Sequence, residues 1–223
     1  MGKLIVIEGL DASGKETQTG RLFERLQEAG VQTKKVCFPD YESDSSALIK
    51  MYLAGKFGSN PAAVNAFAAS SFYAVDRYAS YKTQWESFYQ GGGLVLADRY
   101  TTSNMIHQGC KIADLQERSA YLEWLKDYEY GRLGLPQPDL VLFLDMPPAV
   151  GMKLMAGRHN KAGGETKDIH ERSSSYLEET YRTALNVAHQ QGWQRIPCSD
   201  GENPLPVEEI AQQIWQIVCQ MIK

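Results

Sequence analysis

The sequence predicts an α/β fold of three layers, a parallel sheet of about five strands with helices on both faces. Three observations predict it. Short apolar runs alternate with stretches of helical spacing along the chain. Most of those runs are continuously apolar rather than alternating, as strands covered on both faces should be. The first of them runs straight into a glycine-rich loop and then into a helical pattern. With 223 residues the chain can bury one sizeable core, and we expect one domain spanning 1–223.

The strand-like runs are Leu4 to Ile7, Thr33 to Phe38, Leu94 to Ala97, Leu140 to Leu144 and Trp193 to Cys198. After the first, Leu22, Phe23 and Leu26 share a helical face, and Gly30 supplies a C-terminal stop. Asn60-Pro61 reads as an N-cap and first-turn proline, opening a long helical pattern that ends before Gly91-Gly92-Gly93. Segment 158–171, RHNKAGGETKDIHE, is too polar to bury much. It reads as a mobile flap, a lid over about 157–171, with a plain solvated loop as the alternative. Near the end, Val207, Ile210, Ala211, Ile214, Trp215, Val218, Met221 and Ile222 trace the apolar stripe of an amphipathic helix.

Composition narrows the function classes. There are 23 Lys plus Arg against 27 Asp plus Glu and no basic run, so a nucleic-acid groove is not expected. The four cysteines, Cys37, Cys110, Cys198 and Cys219, are scattered without a C-x-x-C pair, which fits idle thiols in a reducing compartment. No apolar run is long enough to span a bilayer, the first residues lack a signal-peptide pattern, and Val6 stands where a myristoylation motif wants Ser or Thr. The expectation is a soluble, cytoplasmic protein with no membrane partner.

The chemistry is carried first by IEGLDASGKETQ, Ile7 to Gln18. Gly9-x-x-x-x-Gly14-Lys15 between a buried strand and a helix is a phosphate-binding P-loop. The glycines let backbone N–H groups converge on an anion, the helix N-terminus adds partial positive charge, and Lys15 adds a full one. Gly9, Asp11, Ala12, Ser13, Gly14, Lys15, Glu16 and Thr17 thus form a candidate ATP cradle. Glu16 breaks the pattern, because such loops usually carry a Ser or Thr whose hydroxyl ligates Mg²⁺. Either Glu16 points away and another carboxylate serves the metal, or Glu16 helps to hold it. Asp98, ending LVLAD, is the obvious other carboxylate. Asp145, ending LVLFLD before Pro147-Pro148, suits a structural role better. Asn160-Lys161-Ala162-Gly163 starts a guanine-reading N-K-x-D but lacks the acid, and L-S-G-G-Q is absent. A kinase acting on a small acceptor leads.

The blocks IEGLDASGKETQ, FPDYESDSSALIKMYL, SFYAVDRY, DRYTTSNMIHQG and PDLVLFLDMPP, with a late Asp168-x-x-Glu171, stand in an order and spacing that resemble the thymidylate kinase family over nearly the whole chain. The resemblance implies a P-loop kinase fold with a mobile lid. It implies ATP- and Mg²⁺-dependent phosphorylation of dTMP to dTDP in dTTP biosynthesis, and a homodimer packed through helices. It assigns Asp11 to positioning the acceptor, Arg99 to the acceptor monophosphate, and Asp98 to the vicinity of the metal and the attacking oxygens. Tyr73, where the family usually has Phe, would stack on the base, and Arg77 would bond its carbonyl edge. Phe38, Tyr41, Asn104 and Gln108 complete the acceptor side, with Glu171 from the flap. His107 matches an aromatic residue that packs against the sugar and disfavours a 2′-hydroxyl. Histidine is smaller, which leaves ribose against deoxyribose open. Ala12 stands where some members carry a catalytic Arg, so the cation falls to the flap. There Arg158 is favoured over Lys161 and Lys167, because a guanidinium fork suits phosphate oxygens. The catalytic set is then Lys15, Arg99, Asp98, Asp11 and Arg158. Two alternatives stay open: a kinase of this fold for dUMP, another nucleotide or a deoxynucleoside, and a non-catalytic nucleotide-binding protein, which Glu16 favours most.

Overall fold

Five parallel strands organise the residues described by the computed structural model, which are 1–58, 60–159 and 174–222. They are β1 (Lys3–Gly9), β2 (Thr33–Cys37), β3 (Leu94–Asp98), β4 (Leu140–Asp145) and β5 (Gln194–Pro197), in the order β2-β3-β1-β4-β5. The order explains the composition. β1, β3 and β4 are central and covered on both faces, so they are apolar almost throughout. β2 (TKKVC) and β5 (QRIP) lie at the edges, and each buries a single residue, Val36 and Ile196. All five sheet elements fall where the apolar runs place them, within a residue or two at the ends.

Strand geometry then sorts the side chains into two layers. On one face Ile5, Ile7, Leu96, Leu142 and Leu144 pack with Leu22 and Leu26 of α1 (Lys15–Glu28) and with Ile210, Ile214 and Val218 of α9 (Val207–Ile222). On the other, Leu4, Val6, Val95 and Ala97 pack with Tyr81, Trp85, Tyr89 and Tyr100. The remaining helices among the described residues are α2 (Ala47–Leu53), α3 (Ala66–Ser80), α4 (Glu86–Gln90), α5 (Thr101–His107), α6 (Leu115–Lys126), α7 (Pro148–His159) and α8 (Ser174–Gln190). Gly30 ends α1 as its position predicts. At φ 74° it donates to Gln27 O, and Val31 donates to Leu26 O, which together satisfy the last carbonyls in a Schellman pair.

One boundary departs from the sequence reading. Asn60-Pro61 does form a cap, but only of the 3₁₀ turn Pro61–Ala63, where Asn60 accepts from the Ala62 N–H. Val64 is extended, so the turn cannot continue. The long helix opens instead at Asn65, whose side chain accepts from the Ala68 N–H at 2.8 Å. It then runs through a π-helical turn, Tyr81–Trp85, into α4 and stops before Gly91. Two asparagines with equal capping chemistry lie five residues apart, and only the second is followed by residues with a face to bury.

Register places the working ends of the strands together. Ile7 pairs with Asp98, and Gly9 with Leu144, so β1, β3 and β4 finish at one edge. β1 sits between β3 and β4, the point at which the chain's connections diverge, and such switch points open a crevice beyond the strand ends. The expected flap, about 157–171, lies outside the described residues from 160 onward. No helix among the described residues is long and apolar enough to cross a membrane.

Leu26, fully buried where α1 meets the sheet, gives a direct test of this packing. Leu26→Ala should cost about 2–5 kcal/mol in a denaturant titration. A loss below about 1 kcal/mol would mean that α1 does not seat on the sheet as described.

Candidate active site

The loop after β1 is shaped by two glycines with different jobs. A Cβ on Gly9 would lie 2.6 Å from Ser13 Oγ and 3.1 Å from Leu144 O, so close approach demands glycine there. Gly14 faces open space but holds φ 85°, a conformation that costs other residues. Gly14 is also the N-cap of α1 and has no capping side chain, so the first-turn N–H groups are left for a ligand. Lys15 folds back and donates to Leu10 O at 2.7 Å. Burial, helped by the nearby Arg99 charge, lowers its ammonium to about 8 against the opposing pull of Asp11, Glu8 and Asp98. A positive charge that is short of solvent and of partners is set to be relieved by an anion.

β3 ends in Asp98-Arg99. Arg99 takes φ 65°, and its N–H donates to Ile7 O, so the residue turns off the sheet beside the loop. Its Nη2 donates to Asp11 Oδ1 at 2.5 Å. Its Nη1 lies 3.5 Å from Glu8 Oε1 and reaches Ser103 Oγ, Gly9 O and, at 3.2 Å, His107 Nε2. Asp98 is pushed above the usual carboxylate range by burial. Lys15 and Arg99 pull it back, and Glu8 and Glu16 push the same way as burial.

α3 and α5 build the other half. Arg77 is 1% exposed, and its guanidinium forks onto Glu129, Nε to Oε2 at 2.7 Å and Nη2 to Oε1 at 2.6 Å. Glu129 also accepts from Thr101 Oγ1 and Asn104 Nδ2. Gln108 is buried, with an Oε1 that has no hydrogen-bond partner among the described residues. Phe38 is buried against the Tyr100 ring, whereas Tyr41 is half exposed.

One cavity of about 600 Å³ joins these parts. Asp11, Ala12, Gly14, Lys15, Glu16 and Thr17 line it from the loop, Asp98 and Arg99 from β3, and Phe38, Tyr41, Tyr73, Arg77, Asn104, His107 and Gln108 from the acceptor side. Nearly every residue singled out in the sequence therefore meets at one place. Gly9 and Ser13 stand behind the lining and shape the loop. Asp145 takes no part and is bound instead by Tyr181 Oη and Arg195 Nε. Arg158 belongs to α7 by its backbone, its side chain is outside what the structure describes, and Glu171 lies wholly outside the described residues. Two residues went unread in the sequence, Glu8 and Glu129. Glu8 did leave a signal, an acid closing an apolar strand. Glu129 left only an indirect one: Arg77 has no acid three or four residues away on its own helix, so a buried Arg77 needs a distant partner.

Chemically, the cavity offers Lys15, Arg99 and open helix N–H groups to an anion of several charges. It offers Asp98 and Glu16 as hard oxygen donors. No group of three or more His, Cys, Asp or Glu among the described residues is arranged to hold a metal alone. That donor set fits Mg²⁺, which keeps several waters and takes one or two carboxylates plus phosphate oxygens.

Comparison with known proteins points one way. The family model described as "Thymidylate kinase" matches residues 7–214. The thymidylate kinase of Mycobacterium tuberculosis is 28% identical over 191 residues, covering 85% of this chain and 87% of the relative. That of Arabidopsis thaliana is 30% identical over 222 residues, covering 100% of this chain and 73% of the relative. That of Homo sapiens is 32% identical over 160 residues, covering 72% of this chain and 68% of the relative. Among solved structures, thymidylate kinase from Candida albicans superposes with a TM-score of 0.70 at 22% identity, over 98% of this chain and 92% of that one, which shows a shared fold.

The electrostatics of Lys15 yield a pH test. Its folded-state value of about 8 lies below the unfolded value near 10.5. Between these the unfolded chain binds more protons, so stability rises with pH across that window. Lys111, lowered by burial to about 8 as well, contributes in the same direction. In the ligand-free protein, Lys15→Met should gain less stability than the parent between about pH 7.5 and about pH 10 in denaturant titrations. Equal gains would show that Lys15 titrates like a solvated lysine.

Proposed function

The chain belongs to the thymidylate kinase family, and from its cavity we infer how it phosphorylates dTMP to dTDP with ATP as donor. One observation carries the reading: a phosphate-binding loop and a pocket for a flat, hydrogen-bonding ring open into the same cavity. A protein that only senses ATP has no use for Tyr73, Arg77 and Arg99 around the part of the cavity beyond the loop.

In this reading the triphosphate lies on the N–H groups of Gly14 and the first turn of α1, with Lys15 on its outer phosphates. The desolvated ammonium regains a full charge partner as the anion arrives. Arg99 holds the acceptor's phosphate, exchanging or sharing its present bond to Asp11, and a guanidinium does this with two parallel N–H donors. Asp11 then stands between the two nucleotides and orients the acceptor. Tyr73 stacks on the base, Arg77 and Asn104 bond its edge, and Phe38, Tyr41, His107 and Gln108 close the pocket. No covalent intermediate is required, and the acceleration comes from alignment and from fixed positive charge around the moving phosphoryl group. Asp98, with Glu16 as second candidate, would hold Mg²⁺, whose charge offsets that of the phosphates when bound. The lid, with Arg158 as its cation and Glu171 toward the acceptor, belongs to the same reading.

A homodimer is part of it too. Leu48 and Met51 of α2 and Val75 and Tyr78 of α3 are exposed apolar residues spaced to share a helix face, on two helices that pack together. A second copy covering that surface meets the family's helix-to-helix assembly.

A coupled assay of ADP release with ATP, Mg²⁺ and a panel of monophosphates and deoxynucleosides should give its highest kcat/KM with dTMP. A preference for another acceptor would correct the substrate, and turnover with none would leave a nucleotide-binding protein. Arg99→Ala should lower kcat/KM for dTMP by about 100-fold or more in a folded protein. The metal assignment has its own test, a Mg²⁺ titration of turnover. Asp98→Ala should need more Mg²⁺ than the parent, and Glu16→Ser should match or exceed it. If Glu16→Ala is shifted while Asp98→Ala is not, Glu16 is the principal ligand.

A further inference from the structure

We propose that Glu129, a residue that need not touch substrate, sets the donor and acceptor pattern of the base pocket. It thereby makes the enzyme select pyrimidines with an N–H at ring position 3 and a carbonyl at position 4 over those with a 4-amino group. The proposal rests on the reading of Arg77 and Asn104 as base-binding residues.

Glu129 is 0% exposed and sits in the π-helical turn Asp127–Arg132 that follows α6. Its Oε1 accepts from Arg77 Nη2 at 2.6 Å and from Asn104 Nδ2 at 3.4 Å. Its Oε2 accepts from Arg77 Nε at 2.7 Å and from Thr101 Oγ1 at 2.7 Å. One carboxylate therefore holds both residues that would read the base, and α5 beside them.

The orientation of the Asn104 amide follows from the chemistry of its neighbours. One end of it faces Glu129 Oε1 and Ser70 O, the latter at 3.2 Å. An ionised carboxylate and a backbone carbonyl can only accept, so the NH₂ end must face them. Oδ1 is left as the end available to the cavity that Asn104 lines. Arg77 is constrained in the complementary sense. Its Nε and Nη2 are committed to Glu129, Nη1 makes only a long contact of 3.4 Å to Tyr100 O, and a guanidinium has nothing but donors. The pocket thus presents an acceptor on Asn104 and a donor on Arg77. Thymine or uracil offers N3–H and O4, which match both. Cytosine offers a bare N3 and a 4-amino group, which oppose both. A mismatch at two buried polar contacts discriminates far more than a missing contact in an apolar pocket.

The role depends on Glu129 being acceptor-only at both oxygens. Glutamine has the same shape but one donor end. In place of Oε1, that end meets both Arg77 Nη2 and Asn104, loosening the fork and allowing the Asn104 amide to turn over; in place of Oε2, it meets Arg77 Nε and loosens the fork. The experiment is kcat/KM for dTMP and for dCMP, measured for the parent and for Glu129→Gln, with circular dichroism melts of both. We expect the preference for dTMP over dCMP to fall by about tenfold or more in the variant, with the KM for ATP unmoved. If both acceptors slow in equal proportion, Glu129 merely supports the fold and the proposal is overturned. Should Glu129→Gln fail to fold, Glu129→Asp, which withdraws the carboxylate by one methylene from Arg77 and Asn104 and removes no base contact, decides. A fall in preference of about threefold supports the proposal, and an unchanged preference overturns it. A parent that does not act on dTMP overturns the functional reading itself, which distinguishes that failure from this one.

Discussion

A carboxylate with no access to solvent, Glu8, is the constraint on which the cavity depends. Burying such a charge is tolerated only when donors surround it, and they do. The Gly9 N–H, Thr102 Oγ1 and Ser103 Oγ all donate to it, and Arg99 Nη1 lies 3.5 Å away. Those donors come from the phosphate loop, from the first turn of α5 and from the end of β3. Because a single acceptor fixes all three, the loop, Arg99 and the helix carrying Asn104 cannot shift independently. Arg99 holds a positive φ that costs a non-glycine residue about 1–3 kcal/mol. The bonds from its N–H to Ile7 and from its guanidinium to Asp11 and Ser103 are what sustain it.

Glu129 repeats the arrangement at the far side of the same helix. The molecule thus divides into an apolar sheet with tightly interlocked faces and a polar layer at the strand ends, organised around two buried acids. Each acid stands behind an arginine that lines the cavity, Glu8 behind Arg99 and Glu129 behind Arg77. The cavity's cations are therefore held from the protein side before any anion arrives, which is the preorganisation that phosphoryl transfer relies on.

The legible part of this was whatever a local pattern controls. Continuous apolar runs gave the three central strands, because central strands of a parallel sheet have no solvent face, and the edge strands followed from the alternation with helical patterns. The loop was readable because close approach at Gly9 and a positive φ at Gly14 admit little else, and Lys15 and the acids at the strand ends followed from it. What stayed hidden was set by distance in sequence. Glu129 meets Arg77 across 52 residues, and within its own segment it resembles any charged residue of a helical face. Asn60 and Asn65 can both cap, the proline after Asn60 favours the first, and only the packing of α3 selects the second. The shared pocket was read residue by residue from family likeness, whereas the acids that orient it were not, since they act through other side chains.

The two edge strands bear on how copies of this chain can meet. An open sheet edge offers unpaired N–H and C=O groups that could recruit a strand from a neighbour. β2 carries Lys34 and Lys35 in its middle, with Lys35 laid over the Phe23 ring and Lys34 bonded to Gln84 O. β5 has Arg195 near its start and closes on Pro197, which has no N–H to give. Charge at one edge and a missing donor at the other make strand addition unfavourable on both sides. Copies of this chain are thereby kept from joining edge to edge into an open-ended ribbon of sheets.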